Sequence, residues 1–296
     1  MPSWKIWFLA IRPKTLPAAI VPVWAGCVLA LKLEGQFDML LALATLLGAI
    51  FIQIATNFFN DVIDADKGTD TENRLGPKRV TASGLVSRSL VMKAAFFMLL
   101  LASGCGFYLW MERGWWIIAI GLPSLYLSYG YTGGPFPLAY RGMGEVFVIL
   151  FFGLIAVGGT VFVQLGHVPR DGWILGLQIG FLSAVLIAIN NFRDLEEDRA
   201  AGKNTIVVKF GRGPVLWLIG FLVAAPWALI PVYESEAVQK MLWFQLMSPV
   251  TMFFWFALVG PLQRCLKGGK VPDRLLGFSA LHLIAFVTIQ TFVMSR

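Results

Sequence analysis

An all-α, polytopic membrane protein with about nine transmembrane helices is expected from three features of the chain. Of its 296 residues 57% are hydrophobic and only 14% charged, a balance foreign to a soluble domain of this length. Apolar runs of about 20 residues recur from end to end, each long enough to cross the hydrocarbon as a helix rising about 1.5 Å per residue. Two of the runs end in carboxamides and carboxylates, so the polar chemistry is gathered at helix ends.

The expected spans are Leu16–Leu33, Asp38–Val62, Ser89–Trp110, Trp115–Gly130, Gly144–Gln164, Trp173–Asn191, Pro214–Val232, Met241–Gly260 and Leu275–Met294. Ahead of the first, M-P-S-W-K-I-W-F-L-A-I-R-P-K has a short apolar piece followed by charge and proline, not a small-residue cleavage site. It is read as an interfacial segment, with Trp4, Trp7 and Phe8 at headgroup level. Cys27, Cys105 and Cys265 are scattered without a C-x-x-C pair, which marks them as packing residues. Neither a low-complexity segment nor a linker interrupts the sequence, so 1–296 is read as one domain.

The net charge of +7 follows topology and is no nucleic-acid surface. With the N-terminus inside, cytoplasmic segments hold most of the 24 basic residues, and the outer side keeps Lys32, Arg113, Arg170, Lys240 and Arg296. The positive-inside rule then sets the N-terminus and both acidic stretches on the cytoplasmic face of a plasma (inner) membrane.

The first acidic stretch, N-F-F-N-D-V-I-D-A-D-K-G-T-D, runs from Asn57 to Asp70. On a helix Asn57, Asn60, Asp61 and Asp64 are spaced i, i+3, i+4, i+7 and share a face. The second, N-N-F-R-D-L-E-E-D-R-A-A-G-K from Asn190 to Lys203, repeats Asn190, Asp194 and Asp198 at i+4. Asp61 aligns with Asp194, which hints at an internal duplication with a site where the halves meet.

A carboxylate inside a membrane costs on the order of 3 kcal/mol, so several at two helix ends call for counter-charge. Two of them about 4 Å apart repel by about 4 kcal/mol at an effective dielectric of 20. A bound divalent cation is the economical answer, and all-oxygen ligands point to Mg²⁺. An EF-hand reading of D-A-D-K-G-T-D fails, because Gly68 comes one place early and Leu75 stands where a bidentate Glu should close the loop. For Asp66, Glu72, Glu196 and Glu197, pairing with Lys67, Arg193 or Arg199 at solvated helix ends is the simpler account.

Arg74, Lys78 and Arg79 lie in R-L-G-P-K-R-V-T-A-S-G, either a positive-inside loop or a grip for a polyanion held beside the carboxylates. Between Ser128 and Glu145, Tyr129, Tyr131 and Tyr140 sit among glycines and prolines, as belt residues or as phenols facing an aromatic ligand. His282 is alone in the last span and His167 lies in an outer loop, so neither is assigned to a metal. Intramembrane acids and an apparent duplication also occur in ion-coupled transporters, but those sites usually lie near the bilayer midplane.

The pair N-D-V-I-D and D-L-E-E-D at the ends of the second and sixth spans resembles the UbiA superfamily of membrane prenyltransferases. R-P-K-T-L-P-A (Arg12 to Ala18), G-P-K-R-V-T-A-S-G-L (Gly76 to Leu85), Y-G-Y-T-G-G-P-F-P-L-A-Y-R-G-M-G-E (Tyr129 to Glu145) and N-N-F-R-D-L-E-E-D-R-A-A-G-K-N-T (Asn190 to Thr205) are most similar to the branch acting on 1,4-dihydroxy-2-naphthoate. The resemblance implies a UbiA-type ring of nine helices around a central cavity. It implies transfer of a polyprenyl group from an isoprenyl diphosphate to dihydroxynaphthoate, with loss of CO₂ and diphosphate, in menaquinone biosynthesis. Other acceptors, such as 4-hydroxybenzoate, homogentisate or haem, are the near alternatives.

By the same resemblance Asp61, Asp64, Asp194 and Asp198 hold Mg²⁺, two ions, on the diphosphate, aided by Asn57, Asn60, Asn190 and Asn191. Arg12, Lys14, Lys78, Arg79, Arg193 and Lys203 become candidates for phosphate oxygens, and Tyr129 and Tyr131 for the aromatic acceptor. Many family members carry a further Asp where this chain has Gly68, and Asp70 is taken as its replacement. Tyr129-Gly130 before Tyr131-Thr132 departs from the Lys-Arg of hydroxybenzoate-prenylating relatives. The proton acceptor is left open between an Asp of the second motif and a Tyr near Tyr129.

Overall fold

The computed structural model describes residues 3–68, 79–229, 237–266 and 269–294. Among these every regular element is helical: α1 (Ser3–Ile11), α2 (Pro17–Glu34), α3 (Met39–Asp66), α4 (Arg88–Arg113), α5 (Trp115–Gly130), α6 (Gly144–Val148) continuing through a π-helical turn (Ile149–Ile155) into α7 (Ala156–Leu165), then α8 (Arg170–Arg193), α9 (Leu195–Ala200), α10 (Ile206–Phe210), α11 (Arg212–Ala228), α12 (Ala237–Arg264) and α13 (Arg274–Met294). A helix stands at each expected span. Six segments, Pro17–Glu34, Met39–Asp66, Arg88–Arg113, Gly144–Leu165, Arg170–Arg193 and Arg274–Val293, are long and apolar enough to cross a membrane by length and composition.

Local chemistry sets the helix ends. Asp38 caps α3 by accepting from the Leu40 and Leu41 amides at 2.8 and 3.0 Å, satisfying donors that lipid could not. Gln164 at the end of α7 exchanges two hydrogen bonds with the Asp38 backbone, 2.8 and 3.1 Å, and so ties α7 to the start of α3. Gly35 ends α2 at φ 66°, where its N–H reaches the Leu31 carbonyl, a left-handed position that glycine takes without steric cost.

Helix α8 is the axle. Two thirds of its most apolar window is buried, 67%, against 22% for α3 and 17% for α4. It packs on α7 and its π-turn, on α11 and on α13, and contributes Leu175, Ile179, Leu182, Val185, Ile189 and Phe192 to the core. Phe96, Phe97, Leu100 and Phe107 on α4, and Trp217 and Phe221 on α11, remain exposed. Such a band suits contact with acyl chains.

The π-turn meets α8 through glycines. A Cβ on Gly153 would stand 2.4 Å from the Gly176 carbonyl oxygen and 2.6 Å from the Gly180 Cα, so backbone touches backbone, the small-residue contact that drives helix association in lipid. Gly153→Ala is expected to force the pair apart and cost about 1–3 kcal/mol by overpacking, read as a lower melting temperature in detergent.

Cys27, Cys105 and Cys265 are free thiols. His282 accepts from the Trp227 indole N–H at 3.2 Å, stacked between Trp227 and Phe254.

Candidate active site

The tips of α3 and α8 come together at one end of the bundle and line a single cavity of about 110 Å³. Asn60 and Asp64 reach it from α3, and Asn190, Asn191, Asp194 and Asp198 from the α8–α9 corner. Arg12, Arg79 and Lys203 supply its cations, and Tyr131, Thr132, Glu145, Glu197 and Thr205 complete much of its polar wall.

Asp64 is the most heavily engaged carboxylate. Its Oδ2 meets the Arg79 guanidinium at 3.0 Å, and its Oδ1 meets Lys203 Nζ at 3.2 Å and accepts from the Tyr140 hydroxyl at 3.1 Å. Arg79 and Asp64 are each about 5% exposed at the side chain, so this pair is an internal one and breaking it would leave a buried charge. Asp194 is held in a fork by its chain neighbour: Arg193 Nε and Nη2 donate to its two oxygens at 2.6 and 2.9 Å, while Nη2 also donates to Asn190 Oδ1 at 2.6 Å. Asp198 carries no hydrogen bond to its side chain among the described residues. Burial pushes its carboxyl up to about 7, with Asp194, Asp64 and Glu197 adding to the rise and Lys203 opposing it.

The structure puts several sequence candidates elsewhere. Asp61 is not among the residues lining the cavity and accepts from the Val80 and Thr81 amides at 3.1 and 2.8 Å, so its carboxylate ties that stretch of backbone to the end of α3. It is not at the cavity wall with Asp64. Asp61→Ala is expected to strand the buried Val80 N–H and the part-buried Thr81 N–H and destabilise by about 2–4 kcal/mol, seen in thermal melts before any assay of activity. Asn57 donates to the Ile11 carbonyl at 2.8 Å and the Thr15 hydroxyl at 2.9 Å, clamping the turn in which Arg12 stands at φ 56°. A non-glycine residue held in that region costs about 1–3 kcal/mol and persists only where its surroundings impose it.

Lys14 is exposed and Tyr129 packs edge-on against Phe59; neither lines the cavity. Arg193 acts behind Asp194, facing Asp273 at 3.9 Å on its other side. Lys78 and Asp70 lie outside the described residues. The acids read as helix-end charges divide: Asp66 is chelated by Arg88 at 2.7–2.9 Å and Glu196 pairs with Arg199 at 2.9 Å, whereas Glu197 lines the cavity. Sequence spacing also missed Glu145, Thr132 and Thr205, because they are single polar residues in loops or at the start of an apolar helix. Tyr140 and Glu145 do fall in the glycine-rich stretch that the sequence singles out.

The donor set fits Mg²⁺. It consists of carboxylate and carboxamide oxygens with no thiol or imidazole among the cavity residues, the chemistry of a hard cation. Among the described residues no three carboxylates gather closely enough to hold an ion unaided. Magnesium takes one or two carboxylates and fills its shell with phosphate oxygens and water, so this sparseness suits it.

The sequence profile of the UbiA prenyltransferase family matches residues 19–265. The chain belongs to the UbiA prenyltransferase family. A 1,4-dihydroxy-2-naphthoate octaprenyltransferase of Haemophilus influenzae is 34% identical to this UbiA member over 230 residues, 75% of each chain. The enzyme of the same name from Mycobacterium tuberculosis is 38% identical over 213 residues, 71% of this chain and 72% of that one. A UbiA homologue from Archaeoglobus fulgidus, solved with DMAPP and Mg²⁺, shares the fold with TM-score 0.66 over 98% of this chain and 99% of that one at 16% identity.

Proposed function

We propose that this UbiA enzyme transfers a polyprenyl group from an isoprenyl diphosphate to 1,4-dihydroxy-2-naphthoate, releasing diphosphate and CO₂ and giving demethylmenaquinol for menaquinone synthesis. The observation that carries the reading is the convergence of two acidic helix tips on one cavity walled by Arg12, Arg79 and Lys203. The naphthoate relatives support the choice of acceptor.

Asp64, Asp194 and Asp198, with Asn60, Asn190 and Asn191 beside them, are the residues that would hold Mg²⁺, and their division between two tips suits two ions. Bound there, Mg²⁺ supplies Lewis-acid stabilisation of the charge that grows on the diphosphate as the allylic C–O bond stretches. Arg12, Arg79 and Lys203 line the cavity and would share that charge. Arg79 and Lys203 pair with Asp64 and line the same cavity, so they are the donors that would meet phosphate oxygens there. Tyr131 stays a protonated phenol, its ionisation opposed by burial and by Glu145, Asp64 and Asp198 nearby. Its ring tilts on Phe147 at 5.2 Å, which in turn stacks on Phe151 at 4.4 Å. These faces exclude water from an allylic cation and offer it π-density.

The end of the bundle that bears the cavity also bears Arg12, Arg79, Arg193 and Lys203. This supports an inner-membrane enzyme with its N-terminus and acidic tips on the cytoplasmic side. The test is purified protein in nanodiscs given Mg²⁺, a polyprenyl diphosphate and a panel of aromatic acids, with products weighed by mass spectrometry. A decarboxylated prenylnaphthoquinol is expected. Product from hydroxybenzoate or homogentisate in its place overturns the acceptor assignment, and no prenylated product with any acceptor overturns the transferase reading.

A further inference from the structure

Arg12 is the one non-glycine residue at positive φ among the described residues, where every other such position holds glycine. It has a long side chain and precedes Pro13, whose ring pushes the residue before it toward extended backbone. Its φ of 56° and ψ of 68° are therefore doubly disfavoured. Glycine would take this turn without strain, yet the position carries an arginine, and that arginine lines the cavity. Strain of this kind persists only where the surroundings over-determine it, and it gathers at ligand clamps. What imposes it here lies on α3. Thr15 closes the turn, its N–H and Oγ1 both donating to the Arg12 carbonyl at 2.9 Å. The same hydroxyl accepts from Asn57 Nδ2 at 2.9 Å and from Gln53 Nε2 at 3.4 Å, and Asn57 also donates to the Ile11 carbonyl at 2.8 Å. The Ile11 and Arg12 carbonyls belong to the two peptide planes that flank the Arg12 Cα, so holding both fixes its two soft dihedrals.

From this geometry we infer that Asn57, with Thr15 and Gln53, is a positioning residue for the prenyl diphosphate: it holds the Arg12 backbone in the left-handed conformation that presents the guanidinium to the cavity, and it acts on the ligand only through Arg12. The inference rests on the diphosphate site proposed above. Asn57 itself is not among the residues lining the cavity. It is 3% exposed, and Gln53, one helical turn earlier, is 8% exposed, so two carboxamides in a mostly apolar helix are committed to one turn of backbone. The strain is met once, on folding, and the cation need not be ordered again when the diphosphate arrives.

The test is a double-mutant cycle in nanodiscs with Asn57→Leu, Arg12→Gly and the two combined, reading the Kd of a polyprenyl diphosphate with Mg²⁺ and the melting temperature. Loss of a charged donor in Arg12→Gly is expected to raise Kd about 30-fold. Its melting temperature should stay at or above that of wild type, because glycine relieves the strain. Asn57→Leu keeps Arg12 but frees the turn, and should raise Kd about 10-fold as the competent conformation becomes a minor one. Added to Arg12→Gly it should raise Kd no further, since its route to the ligand is already gone. Thr15→Val, which removes the shared hydroxyl and leaves Asn57 in place, serves if Asn57→Leu does not fold, and the same coupling to Arg12→Gly is expected of it. Additive losses in Kd overturn the inference. So does an Arg12→Gly protein that melts lower and binds the diphosphate as wild type does, the mark of an arginine that only anchors its turn. Wild-type protein that binds the polyprenyl diphosphate but prenylates no acceptor overturns the transferase reading alone, and the cycle on Kd still decides the inference; wild-type protein that binds none overturns both.

Discussion

Asp198→Asn is expected to lower kcat/KM for prenyl transfer by about 10³-fold, close to 4 kcal/mol of transition-state stabilisation, while leaving the melting temperature unchanged or raised. Asp198 separates chemistry from folding because, among the described residues, no hydrogen bond restrains its side chain. Its carboxyl is already pushed up to about 7 by burial and by Asp194, Asp64 and Glu197. The sign follows from that shift: a carboxyl whose folded pKa lies above its unfolded value loses stability as pH rises through the window between them, so at neutral pH the ionised group is a burden that asparagine removes. Asp64→Ala would cut activity as deeply but also remove the carboxylate that the internal Arg79 guanidinium pairs with, a cost of about 3–5 kcal/mol in folding. An Asp198→Asn enzyme that turns over at the parental rate would remove Asp198 from the metal set.

Chelation is expected to have the other large effect. In excess EDTA the rate should drop at least about 10³-fold, and added Mg²⁺ should restore it. A second readout is binding of a fluorescent prenyl diphosphate analogue, which should weaken in EDTA and strengthen again with Mg²⁺, since the cation completes its shell with phosphate oxygens. Unabated turnover in EDTA contradicts the metal reading. Retained turnover in Asp194→Ala, with Mg²⁺ present, contradicts the part given to the second tip.

Much of this architecture was legible in the sequence, and the limits have physical causes. Hydropathy alone locates the helices, because a backbone in lipid has no alternative to internal hydrogen bonds and each span must be about 20 apolar residues long. The i, i+3, i+4, i+7 pattern puts Asn57, Asn60, Asp61 and Asp64 on one helical face, but a face is wider than a site. Asp61, one residue beyond Asn60, turns to the Val80 and Thr81 amides, and Asn57, a turn earlier, meets the N-terminal segment. Periodicity carries no information about which neighbour a face meets. Glu145 escapes for the opposite reason: it has no companion at helical spacing, and only the fold of the 131–144 segment brings it to Asn191.

The burial contrast between α8 and α3 has a mechanical consequence. The jaw carrying Asp194 and Asp198 follows a helix covered along most of its apolar window, whereas the jaw carrying Asp64, itself buried, is reached through a helix whose apolar window is largely uncovered. A change in acyl length or sterol content therefore pulls on one side of the vice and spares the other. Catalytic rate should follow bilayer composition even where the protein's overall melting does not.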